Sequence, residues 1–90
     1  MPQRKKFKFS DLDFQPISEN SRTLKATLSF LNGYGCNVYM HSEGTNKWLP
    51  YEFELLYNGK PTVNTELSDG NIGYSSEDDI NQYLSIAQRL

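Results

Sequence analysis

Phe30-Leu31-Asn32-Gly33-Tyr34-Gly35-Cys36-Asn37-Val38 reads as a tight reversal between two alternating segments. Asn-Gly between such runs is the strongest short-range hairpin signal, because both residues tolerate positive φ. Before the turn, Leu24, Ala26, Leu28 and Phe30 share one face, and Lys25, Thr27 and Ser29 share the other. After it, Cys36, Val38 and Met40 fall on one face and Asn37, Tyr39 and His41 on the opposite one. The two apolar sets meet only if the register is held, so the turn decides which side becomes core. The alternative for Gly33 and Gly35 is a close backbone approach by a ligand. No phosphate-loop spacing or following helix accompanies them.

Working outward, Trp48-Leu49-Pro50 leads into Tyr51-Glu52-Phe53-Glu54-Leu55-Leu56-Tyr57. Tyr51, Phe53, Leu55 and Tyr57 point one way, and Glu52, Glu54 and Leu56 the other. Asn58-Gly59-Lys60-Pro61 is a second turn of the same kind. The pattern predicts a further strand over Thr62 to Leu67, with Val63, Thr65 and Leu67 inward. Ser68 to Tyr74 reads as a connector with two glycines. Ser76 then caps a helix, with Asp79 completing the box and Glu77, Asp78 and Asp79 filling the first turn. Ile80, Tyr83, Leu84, Ala87 and Leu90 recur at helical spacing and form the face that docks. Towards the N-terminus, Lys6-Phe7-Lys8-Phe9 alternates like a short edge strand, and Ser10 to Phe14 reads as an irregular segment at the sheet margin. Pro16 and Ser18-Glu19-Asn20-Ser21 mark a loop. The expected fold is α+β: an antiparallel four- to five-stranded meander sheet with one C-terminal helix packed on one face. Residues 1–90 form a single domain, with 1–6 a flexible basic arm.

Ninety residues, 37% apolar and 22% charged, describe an ordinary globular chain with one modest core. The net charge is −2, but four of the nine basic residues are Arg4, Lys5, Lys6 and Lys8. Beyond position 8, five basic residues face eleven acidic ones. The longest apolar run is far too short to span a bilayer, and the basic N-terminus lacks the apolar core of a signal peptide. A single cysteine requires no oxidising compartment and builds no multi-cysteine zinc site. A cytoplasmic setting follows, with no cofactor and no metal expected.

Candidate chemistry is sparse. Cys36 and His41 are the one nucleophile–base pair, but their odd separation sends them to opposite faces of a strand. Glu52 and Glu54 share a face about 7 Å apart. Paired carboxylates can do acid–base work, but on the polar side of a sheet glutamates are ordinarily just solvated. Tyr39 projects onto that face beside Lys25, His41, Glu52 and Glu54. Trp48 sits in the longest internal loop, either closing the core or marking an interface. Tyr and Trp are frequent at binding hot spots. The partner-binding set is therefore Lys25, Tyr39, His41, Trp48, Glu52 and Glu54. The nucleic-acid alternative uses Arg4, Lys5, Lys6 and Lys8 with surface aromatics. A small-ligand pocket around Tyr34 and Tyr74 is a third reading. Small one-sided sheets also cover themselves as homodimers.

Taken in order, several stretches resemble a family of short uncharacterised proteins encoded by tailed phages and prophages. They are Ser10-Asp11-Leu12-Asp13-Phe14, Asn32-Gly33-Tyr34-Gly35 with Val38, Tyr51-Glu52-Phe53-Glu54-Leu55, and Ile72-Gly73-Tyr74 running into Ser76-Glu77-Asp78-Asp79-Ile80. The chain departs from the family at Thr65-Glu66, where a Thr-Pro pair is usual, and in its 42–50 loop, which holds less glycine. The resemblance implies a phage or mobile-element origin and brings no catalytic residues with it. With no coherent catalytic set, the expected function is a small non-enzymatic protein that binds a protein partner of the host or the phage. Inhibition of a host or defence component, in the host cytoplasm, fits that expectation.

Overall fold

A computed structural model describes residues 6–19, 22–41, 50–64, 67 and 71–90, with the side chains of Asn71 and Tyr74 left out. A 3-10 turn at Phe9–Asp11 is followed by β1 (Gln15–Pro16), β2 (Thr23–Ser29), β3 (Tyr34–His41), β4 (Tyr51–Tyr57), β5 (Lys60–Pro61), β6 (Asn71–Ser75) and α1 (Glu77–Arg89). The fold is α+β. The strands run antiparallel in the order β1-β2-β3-β4-β5, and β6 also pairs with β4.

The first hairpin has the expected register. Phe30 N–H donates to Tyr34 O at 2.8 Å, and Gly33 takes φ 89° within the loop. Ala26 lies opposite Val38 and Leu28 opposite Cys36, while Cys36 faces Leu55 and Val38 faces Phe53. Each apolar set therefore lands on one side of the sheet. Gly35 is needed for a different reason. A Cβ there would lie 2.5 Å from the Leu28 carbonyl oxygen, so the close neighbour is the adjacent strand and not a ligand. At the second hairpin, Asn58 and Gly59 both hold positive φ, at 51° and 81°, the geometry that suits strand twist.

Several expectations along the chain need correction, among them the loop at Pro16, which lies in β1. Residues 6–8 are not a strand, and Phe9–Asp11 forms the 3-10 turn instead. The edge strand is β1, where Gln15 and Pro16 pair with Lys25 and Leu24. Proline fits there because an edge strand needs no donor on its outer side. Residues 62–64 form no strand, and Val63 is 68% exposed. Among the described residues of that stretch Leu67 alone reaches the core, while Thr65 and Glu66 lie outside the described residues. The expected connector instead contains β6. β5 covers Leu56 and Tyr57, whereas β6 covers Tyr51, Phe53 and Glu54, with a register shift. They act as two halves of one strand, interrupted between them. Tyr57 is also more exposed than its alternation implies, with its ring against Tyr34 at 4.8 Å.

Helix α1 closes the apolar side. Ser76 Oγ accepts from Asp79 N–H at 3.1 Å, and Asp79 Oδ2 accepts from Ser76 N–H at 2.9 Å, a reciprocal cap. Ile80, Leu84 and Ala87 are fully buried against Cys36, Val38, Phe53 and Leu55. Beside the helix lies the N-terminal strap, residues 6–11. Gln88 accepts from Phe7 N–H at 2.8 Å and returns a bond to Phe7 O at 3.1 Å. Asn81 Oδ1 accepts from Phe9 N–H at 2.8 Å. Asn81 and Gln88 stand two helical turns apart, so their amides present a row of partners to the strap. Phe9 packs on Tyr51 and Phe14, and Phe7 on Phe30, fixing the strap beneath the sheet.

Candidate functional site

Five of the six partner-binding residues come together on the sheet face opposite the helix. Lys25 stands across from Tyr39, and Tyr39 across from Glu52. In the adjoining row, Thr27 faces Asn37 and Asn37 faces Glu54. These are rows of side chains from three neighbouring strands, placed there by strict alternation. Trp48 lies outside the described residues.

The rows are tied together by side-chain bonds. Thr27 Oγ1 donates to Asn37 Oδ1 at 2.6 Å, and Asn37 Nδ2 donates to Glu54 Oε1 at 2.9 Å. The same Glu54 oxygen lies 3.4 Å from the Tyr39 hydroxyl, a long diagonal contact. His41 Nε2 sits 3.1 Å from Glu52 Oε1, and its ring stacks on Tyr39 with centroids 6.4 Å apart. Partial burial raises the Tyr39 phenol above its ordinary value, and the charge and hydrogen bond of Glu54, then the charge of Glu52, raise it further. The Asn37 amide opposes this weakly. Tyr39 therefore stays a neutral donor near neutral pH. Signals for this network were present in the alternation, but not the choice of diagonal partners, which depends on side-chain reach.

Cys36 and His41 are separated by the sheet. Cys36 is fully buried in the helix-side core, and burial pushes its thiol from the ordinary 9.0 up to about 12, against a smaller opposite effect from the Leu28 backbone. The folded chain thus favours the neutral thiol. That contribution is whole below pH 9 and is lost as pH rises towards 12. The native thiol is expected to resist a disulfide-exchange reagent at pH 8 and to react only as the chain opens. The urea midpoint between pH 9 and 12 should fall more steeply in the wild type than in Cys36→Ala. Rapid labelling of the folded protein would contradict this.

The basic residues lie elsewhere. Lys6 and Lys8 are exposed on the strap, on the helix side of the sheet, and so form no single stripe with Tyr39. Arg4 and Lys5 lie outside the described residues. Tyr34 is part of the aromatic packing with Tyr57, and the Tyr74 side chain is among those left out. Among the described residues, no group of three His, Cys, Asp or Glu could hold a metal ion, and no helix is long and apolar enough to cross a membrane. Compared with models of protein families, with curated proteins and with solved structures, the chain matches none.

Proposed function

We propose that the chain is a small non-enzymatic protein that acts by binding a protein partner through its outer sheet face. The observation that supports this is the organised polar surface around Tyr39. Its side chains are held by one another before any partner arrives, which lowers the ordering cost of association. The face offers an aromatic ring flanked by two carboxylates. A partner presenting an arginine or lysine fits it, by cation–π contact with Tyr39 and charge-assisted bonds to Glu52 or Glu54. The resemblance to phage-encoded proteins extends the proposal to a host or phage partner, with inhibition of a host or defence component as the role.

The test is a photo-crosslinking side chain placed at position 39 and, separately, at Ser85 on the outer side of α1. In lysate of the producing cell, position 39 should trap one protein that position 85 does not. Excess wild-type chain should compete it away, whereas Tyr39→Ala should compete at least about tenfold less well, the loss of a central aromatic contact. Trapping from position 85 alone would overturn the surface. A product holding only two copies of this chain would replace the foreign partner with a second copy.

A further inference from the structure

A separate groove lies on the other side of the molecule. It encloses about 740 Å³ between the strap, the first hairpin and the last turns of α1. Its apolar wall is formed by Phe7, Phe30 and Leu31, and its cations are Lys6, Lys8 and Arg89. Leu31 is 76% exposed, the most exposed large apolar side chain among the described residues. Among the described residues no acidic side chain lines the groove, in a chain whose sequence beyond position 8 is strongly acidic. Among the described residues, Lys6, Lys8 and Arg89 have no ion-pair partner. Three like charges around one concavity raise the local concentration of anions.

The carboxamide side chains in the groove already hold backbone groups. Asn32 donates to Ala87 O and Leu90 O, and its Oδ1 accepts from Tyr34 N–H. Gln88 is shared between Phe7 and Leu84 O, and Asn81 Oδ1 accepts from Phe9 N–H. Arg89 gives Nε–H to Ser85 O at 3.2 Å, which leaves the end of its guanidinium to face a ligand. Charge and apolar surface therefore govern recognition, with little directional amide bonding of the kind an extended peptide would use. The volume lies within the range of small-molecule sites.

We infer that this groove binds a small anionic amphiphile, an acyl or aromatic body bearing a single carboxylate. The apolar body lies along Phe30, Leu31 and Phe7, and the carboxylate meets Lys6, Lys8 and Arg89. This site is independent of the face around Tyr39, and either can fail without the other.

The experiment uses the full chain, labelled with ¹⁵N, titrated with dodecanoate below its micelle concentration. Saturable shifts are expected at the amides of Leu31, Asn32 and Ser85. Dodecyltrimethylammonium, with the same tail and the opposite charge, should bind at least tenfold more weakly. Lys6→Glu with Lys8→Glu should weaken dodecanoate at least tenfold, and Leu31→Asp should do the same from the apolar wall. All three positions are exposed, and unchanged thermal unfolding will show that the variants fold. No saturable shift, equal binding of both head groups, or shifts centred on Tyr39 would overturn the inference. So would an aspartate-rich peptide that binds in the groove where dodecanoate does not.

Discussion

Phe53→Ala is expected to cost about 3–5 kcal/mol, enough to remove a large part of the stability of a domain this size. Phe53 has no solvent exposure and sits on β4 between Val38 on one side and Ile72 on the other. Its ring meets Tyr83 of α1 at 5.5 Å, so it joins the sheet to the helix. Truncation removes the apolar transfer energy and leaves a cavity that paired strands cannot collapse around. The effect should appear as a lower urea midpoint with an unchanged slope. In thermal unfolding the midpoint should fall by roughly 15 °C or more. Phe53→Leu should cost much less, because most of the volume remains. A loss below about 1 kcal/mol for the alanine variant would mean that the helix does not pack on this strand.

Asn32→Ala is expected to cost about 2–3 kcal/mol, far more than a turn residue usually does. The Asn32 amide donates to Ala87 O at 3.0 Å and to Leu90 O at 3.1 Å, while its oxygen accepts from Tyr34 N–H at 3.0 Å. One side chain thus shapes the hairpin and bonds two carbonyls at the end of α1, where Ala87 O otherwise receives a long 3.4 Å bond from Leu90 N–H. Asn32→Asp separates these roles. It keeps the acceptor for Tyr34 but sets a negative charge against helix carbonyls and the negative end of the helix dipole. Its cost should equal or exceed that of alanine, with hydrogen exchange accelerated over residues 84–90. If Asn32→Asp restores wild-type stability, the bond to the helix is not what matters.

The contrast between these two residues shows what was legible in the chain. The core role of Phe53 follows from alternation alone, because one side of a covered sheet must be apolar. The same logic placed Cys36 and Val38 inside, put Ile80, Leu84 and Ala87 on the docking face, and gathered Tyr39, Glu52 and Glu54 on one surface. Ser76 and Asp79 were legible as a cap because the pair is local. Asn32 carried a turn signal and nothing to show that a helix end 55 residues later would use its amide. Gln88 and Asn81 fall outside the apolar spacing of the helix, yet they hold the strap. Such long-range polar pairings leave no periodic trace. The interrupted edge strand was missed for a related reason. β6 includes Gly73, a residue usually depleted from strands, and its pairing comes from β4 rather than from its own propensity. The groove was hidden because it is built from three segments remote in sequence.

The bond between Phe7 and Gln88 joins positions 81 residues apart. In a growing chain the strap is therefore made well before α1 brings Asn81 and Gln88, the side chains that bond its backbone. The hairpins can form during synthesis, but the underside of the sheet stays wet until α1 has emerged. The final step is then a simultaneous closure of strap and helix, slow because it joins distant parts of the chain. Until it happens, Phe7, Phe9, Val38 and Phe53 remain open to other nascent chains, so yield in the cell should depend on how quickly translation passes residue 88.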